Sequence, residues 1–187
     1  ETVIAAAMES DGVILGPVSH ADYPPLEQGG LNPSGILRKA LSLYANIRPA
    51  RCYDGLHHYT RSPFDIVIMR ENLEGFYADR NMAVGNGEFM PTNGIALAIR
   101  KITTEASSNI ARAAFEQARK RPMKKVTAVH KANVMRVSDG LFLDAVREIA
   151  KAFPDIDYEE MLVDSAAAMM VRAPQDFDVI VTTNIFG

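Results

Sequence analysis

Cysteine is nearly absent from the chain. Cys52 is the only one in 187 residues, which excludes an intramolecular disulfide framework and a multi-cysteine zinc or iron–sulfur site. No apolar run approaches the roughly 18 residues of a spanning helix, and Glu1 to Ser10 lacks the basic stretch that opens a secretion signal. A strong charge of either sign is missing too. The formal net charge is -3, so neither nucleic acid nor an anionic membrane is advertised as a partner. There is no G-x-G-x-x-G and no Walker A, because Gly29-Gly30 and Gly35 lack the spacing. What is present is an ordinary globular composition, 48% hydrophobic and 23% charged, which argues against long disorder. These features predict a soluble, cytoplasmic protein of one or two domains.

The chain starts at Glu1 without an initiator Met and stops on the apolar run Asp178 to Gly187, so both ends are expected to be cut. Between them the pattern alternates. Val13-Ile-Leu15 reads as a short strand, followed by a loop from Ser19 to Gly35 that is long enough to suggest function. Ile36 to Ala45 has helical spacing, and Pro49 bars further helix. Asp65 to Met69 reads as a buried strand. Asn81 to Lys101 carries Gly85-Asn86-Gly87, Pro91 and Asn93-Gly94, which predicts a projecting β-arm, with a plain surface loop as the alternative.

Helices follow from Thr104 to about Arg121 and from Ser138 to Pro154, each with a threonine or serine as cap and a proline as stop. Strands at Val126–Val129, Tyr158–Val163 and Val179–Thr182 and a short helix at Ser165–Arg172 complete an α/β reading with a largely parallel sheet.

Three places draw attention as chemistry. Arg38 and Arg48 stand nearly three helical turns apart, so they either converge on one end of a groove or are ordinary solvated residues. Arg70 follows a buried strand, where open α/β sheets bind ligands, and with the other two would supply three guanidinium forks suited to a polycarboxylate. A surface ion pair with Glu71 is the plainer reading. Lys131, in His130-Lys131-Ala132-Asn133, also follows a strand. Such a lysine can act as a base or be an ordinary turn residue. Asp164 follows a strand as well and could simply cap the next helix.

Those segments resemble the isocitrate/isopropylmalate dehydrogenase family. Leu37-Arg38-Lys39 with Leu43 to Pro49 is similar to its substrate-arginine segment, and Arg70-Glu71-Asn72 with Glu74-Gly75 and Tyr77 to the next motif. His130 to Met135 with Ser138 to Phe142 is similar to the third. Asp164 with Ala167-Ala168-Met169, Phe177-Asp178-Val179 and Asn184 to Gly187 is similar to the fourth.

The resemblance implies an isopropylmalate dehydrogenase-like fold: residues 1–43 as part of a first domain, and 44–187 as a second domain, cut short, with a dimerisation arm near 81–101. It implies oxidative β-decarboxylation of a 2-hydroxy di- or tricarboxylic acid with NAD or NADP and Mg²⁺ or Mn²⁺. Arg38, Arg48 and Arg70 would then bind substrate carboxylates, Lys131 and Tyr77 would be base and acid, Asp164 a metal ligand, and Asn133 a neighbour of the nicotinamide. Lys131 and Asp164 would reach the site of a partner in a homodimer. The remaining metal aspartates and the adenine-side cofactor loop would lie beyond this chain.

Asn32 and Ser34 stand just before Arg38, where isopropylmalate enzymes place an acidic residue and leucines. Two polar residues there favour a polar or small γ-substituent, as in isocitrate, homoisocitrate, malate or tartrate, because a pocket that hydrogen-bonds its substrate rejects an analogue lacking the group. A loop reshaped by Pro33 and Gly35 would turn both residues away. The alternatives are a 3-isopropylmalate dehydrogenase of leucine biosynthesis and a non-catalytic regulatory relative.

Overall fold

The computed structural model describes residues 2–19, 22–25, 28–60 and 62–187. The chain divides into two compact units, Glu1–Tyr44 and Ala45–Gly187.

Among the described residues the first unit holds two α-helices, α1 (Thr2–Met8) and α2 (Pro33–Ala40). Asn32 caps α2: its Oδ1 accepts the Gly35 N–H at 3.1 Å, and Pro33 starts the helix where a missing N–H costs nothing. At the other end Ser42 takes a positive φ of 51°. Its N–H and that of Leu43 return to the carbonyls of Lys39 and Arg38, a Schellman closure. The helix expected over Ile36–Ala45 therefore starts three residues earlier and ends at Ala40.

The expected strand Val13–Leu15 does not form. Among the described residues no strand pairs with this triplet, and Ile14 is 101% exposed. Of the expected loop Ser19–Gly35, residues 20, 21, 26 and 27 lie outside the described residues, and Pro33–Gly35 belongs to α2.

The second unit is a five-stranded sheet in the order β1-β2-β7-β5-β6, built from β1 (Ala45–Arg51), β2 (Asp65–Glu71), β5 (Lys125–His130), β6 (Asp157–Leu162) and β7 (Val179–Thr182). The last four run parallel and β1 is antiparallel at the edge. Helices α3 (Thr104–Arg119) and α4 (Ser138–Ala150) bury Ile110, Phe115, Phe142 and Val146 against Val126, Val179 and Val181. Helix α5 (Val163–Arg172) lies with the smaller cluster of Ile66, Val129, Ala166, Phe177 and Ile180. The fold is α/β, a mostly parallel sheet flanked by helices.

Strand β1 is absent from the sequence reading because Pro49 and an exposed, polar stretch hide it. A proline without an N–H is tolerated on an edge strand. The caps also shift. Thr103, not Thr104, caps α3 by accepting the Ala106 N–H at 3.2 Å. Val137 precedes α4 with no side-chain cap, so Ser138 is helical rather than the cap. Asp164 sits inside the first turn of α5, where a carboxylate suits the helix dipole, and is not its N-cap.

Strands β3 (Glu88–Thr92) and β4 (Ile95–Ala98) pair antiparallel as a separate hairpin, with Phe89 opposite Leu97. Gly94 closes it at φ 84°, a conformation that side-chain-bearing residues rarely take. Both strands are exposed.

Candidate active site

Register places the carboxyl ends of the parallel strands along one edge of the sheet. Arg70 is level with Thr182, Val129 is level with Thr182, and His130 is level with Leu162. The residues at or just past those ends are Arg70, Lys131, Asp164 and the pair Thr183-Asn184. Ligands of open α/β sheets bind at this edge.

Arg70 is half-buried. Its Nε donates to Asn184 Oδ1 at 3.0 Å, its Nη2 donates to the same oxygen, and Nη2 also donates to the Tyr77 hydroxyl at 3.3 Å. Together with Phe76 and Ile185 these three residues line a cavity of about 220 Å³. Glu71 is buried and is not the surface partner of Arg70. Its carboxylate accepts the N–H groups of Leu73 (2.6 Å) and Glu74 (3.0 Å) and lies 3.4 Å from Asn184 Nδ2.

Glu74 is buried as well, and accepts the N–H and hydroxyl of Thr103, both at 2.8 Å; burial pushes its carboxyl above the usual range. Gly75, at φ 99°, passes close to Asn184: a Cβ there would lie 3.2 Å from the Asn184 Cβ. The run from Glu71 to Gly75 is thus a pinned turn that holds Asn184, which holds Arg70.

Arg48 lies on β1. Its Nε donates to Asn46 Oδ1 at 3.1 Å, and Asn46 Nδ2 donates to Asn72 Oδ1 at 3.3 Å. Its Nη1 donates to the Gly187 carbonyl at 3.2 Å. Arg38 lies on α2 in the other unit, so no continuous helix relates the two arginines. Asn32 Oδ1 is engaged as the α2 cap, and Ser34 is half-buried in the first turn of that helix.

On the other side of β7, Lys131 Nζ forms an ion pair with Asp164, and its backbone N–H donates to Asp139 Oδ2 at 2.6 Å. The Asp164 side chain is 65% exposed. It is a hard oxygen donor fit for one position around Mg²⁺ or Mn²⁺. Among the described residues no group of three His, Cys, Asp or Glu is gathered around it. Asn133 is exposed in the turn after β5 and makes no side-chain hydrogen bond among the described residues.

A family model for isocitrate/isopropylmalate dehydrogenase matches residues 1–187, the whole chain. The chain belongs to that family. Among curated members, 3-isopropylmalate dehydrogenase of Archaeoglobus fulgidus is 40% identical over all of this chain and 52% of that protein. Homoisocitrate dehydrogenase of Methanocaldococcus jannaschii is 38% identical over all of this chain and 54% of that protein. The human mitochondrial NAD isocitrate dehydrogenase alpha subunit is 41% identical over 87% of this chain and 42% of its own length. The solved isocitrate dehydrogenase of Methylococcus capsulatus superposes with a TM-score of 0.74 at 37% identity, over 98% of this chain and 56% of that one. The chain therefore spans about half the length of the dehydrogenases it matches.

Within the family frame, three residues acquire parts that the sequence reading gave them no role for. Asn184 orients Arg70, Asp139 holds the Lys131 turn, and Arg100 contacts both neighbourhoods. Asn184 and Asp139 each stand in a family-like motif, Asn184 just past a strand end. Arg100 carries no local signal, since its partners lie 39 and 83 residues away.

Proposed function

We propose that the full-length protein oxidatively β-decarboxylates a 2-hydroxy di- or tricarboxylic acid of the isocitrate, homoisocitrate, malate or tartrate type, with NAD or NADP. One observation carries the reading: a guanidinium, a phenol, and a lysine paired with a carboxylate stand at one edge of a parallel sheet. Nη1 of Arg70 is left for a substrate carboxylate, because Asn184 and Tyr77 take Nε and Nη2. The same role falls to Arg38 and Arg48 on the match of their sequence segments. Asn32 and Ser34 are assigned to the γ-substituent on the same ground, and Asn133 to the neighbourhood of the nicotinamide.

Lys131 takes the proton of the substrate hydroxyl as the neutral amine, the form it reaches when its ion pair with Asp164 is released and its own proton passes on. Tyr77 returns a proton to the carbon that carbon dioxide has left. Its oxygen accepts from Arg70, so its own hydrogen is free to point elsewhere, and the guanidinium faces the charge left behind. Asp164 would help hold a divalent cation, which when bound would supply electron withdrawal at the substrate hydroxyl and carboxylate, and a nicotinamide bound near Asn133 would supply the hydride acceptor.

The exposed hairpin β3–β4 carries Phe89, Met90, Ile95 and Leu97 at the surface, apolar area suited to a second copy. We assign it to a homodimer in which Lys131 and Asp164 serve the partner's site.

A second reading is favoured by the 40% identity to a 3-isopropylmalate dehydrogenase, and a third by the Dictyostelium discoideum regulatory subunits B and A, at 36% and 40%. Arg70, Tyr77, Lys131 and Asp164 weigh against a purely regulatory relative, which needs neither acid nor base. Hydride transfer by the full-length protein is measured with isocitrate, homoisocitrate, isopropylmalate, D-malate and tartrate, with Mg²⁺ or Mn²⁺ and each cofactor. Turnover fastest with isopropylmalate would overturn the substrate class, and no turnover with any of them would overturn the enzyme.

A further inference from the structure

We propose that Arg100 is a positioning residue that ties the turn carrying Lys131, which serves the partner's site, to the turn that holds Arg70 in the subunit's own site. The inference rests on the reading of Lys131 as base and Arg70 as carboxylate clamp. Arg100 lies just past β4, and its side chain is only 6% exposed. Its Nη1 donates to Asp139 Oδ1 at 2.5 Å and to Ser138 Oγ at 2.9 Å, while Nη2 donates to Thr183 Oγ1 at 2.9 Å. Asp139, with 0% exposure, uses its second oxygen to accept the Lys131 N–H. Thr183 is joined to Asn184, which holds Arg70. One guanidinium therefore grips the turn after β5 with one nitrogen and the turn after β7 with the other.

The choice of residues supports positioning over stability. A buried ion pair is often no more stabilising than well-packed apolar residues of the same volume. Arg100 even leaves its buried Nε without a hydrogen-bond partner. What the planar fork supplies is two fixed directions from one rigid plane, which the single ammonium of lysine does not. The ring of Phe186, in the same turn as Asn184, lies 5.8 Å from the guanidinium carbon and adds a third contact to that turn. Reacting groups are sensitive to this kind of support, since a shift of about 1 Å costs on the order of 10²-fold in rate.

The test uses the full-length protein and four variants: Arg100→Lys, Asp139→Asn, Thr183→Val and, as reference, Lys131→Met. kcat and KM for the turned-over hydroxy acid are read separately, with amide hydrogen exchange in peptides covering 130–135 and 182–186. Asp139→Asn should lower kcat about 10- to 100-fold with KM little changed. Thr183→Val should raise KM more than it lowers kcat. Arg100→Lys should do both and speed exchange in both peptides.

Variants that lower Tm but leave kcat, KM and both exchange rates as in the wild type would overturn the proposal and leave a packing role. Should Arg100→Lys fail to fold, Thr183→Val decides alone, with unchanged KM and exchange counting against the proposal. Wild-type kcat in Lys131→Met would instead overturn the base assignment, and the exchange rates would still decide whether Arg100 holds the two turns.

Discussion

Arg70 and Asn184, 114 residues apart in the chain, meet as fork and acceptor: both Nε and Nη2 of the arginine point at Asn184 Oδ1. The amide is itself turned by Glu71, so the direction of the remaining Arg70 nitrogen is set by two buried neighbours.

Arg70→Lys keeps the charge but removes the fork. In the full-length enzyme it should lose roughly 1.5–3 kcal/mol in kcat/KM, the range for hydrogen bonds to charged groups. Steady-state kinetics with the preferred hydroxy acid checks this, and wild-type kinetics would remove Arg70 from the substrate clamp.

Lys131→Met should cost on the order of 10²- to 10⁴-fold in rate, the usual worth of a positioned general base, with little loss of fold. Tyr77→Phe should impair protonation after decarboxylation more than hydride transfer. The ratio of undecarboxylated keto acid to final product measures that split, and an unchanged ratio would exclude Tyr77 as the acid.

Asp164→Asn removes a hard anionic ligand while keeping the volume, and should inactivate. Mixing it with an inactive Arg70 variant should restore activity in heterodimers, because the two lesions then fall in different sites. Absence of recovery, with subunit exchange confirmed by mass, would place all these groups within one subunit's own site.

His130 gives a prediction about acid stability. Burial lowers its ring pKa below the ordinary 6.5, against the pull of Glu160 and Asp139 and together with Arg147. Its Nδ1 also accepts the Ala132 N–H at 3.1 Å, a bond that only the unprotonated nitrogen makes. Above 6.5 the ring is neutral in both states. As pH falls through 6.5 the unfolded chain binds a proton that the folded chain refuses, so stability declines until the lowered folded value is reached. His130→Asn keeps an acceptor for Ala132 and should flatten that part of the curve. Urea midpoints measured across the range test it, and parallel curves for both proteins would contradict it.

The sequence displays the parts of this fold whose cause is local. Phe142, Val146 and Ile149 repeat with the helical period and mark α4, and the apolar run Ile66 to Met69 marks β2. Strand β1 escapes because Ala45, Ile47 and Pro49 alternate with Asn46 and Arg48 only briefly, and a proline in the middle argues against a strand unless the strand lies at a sheet edge. Val13–Leu15 misleads for the opposite reason: three apolar residues suggest a strand, but pairing needs a neighbour.

At the site, Lys131 and Asp164 are legible because each follows an apolar strand. The couplings through Asn184, Asp139 and Arg100 are not, because they depend on contacts between distant segments. The caps of α3 and α4 move by one residue since Thr103-Thr104 and Val137-Ser138 each offer two starting points, and only packing chooses between them.

The place of β7 in the sheet has a consequence for synthesis on the ribosome. This strand, which follows the other four in sequence, lies between β2 and β5, which do not pair with each other. Until Thr182 has emerged, a growing chain holds two separate ribbons, β1 with β2 and β5 with β6, each with an open apolar edge. Such edges are the surfaces on which nascent chains pair wrongly or recruit chaperones. The interval between translating Leu162 and Thr182 is therefore the vulnerable one, and slow codons placed there should lower the soluble yield without altering a single residue.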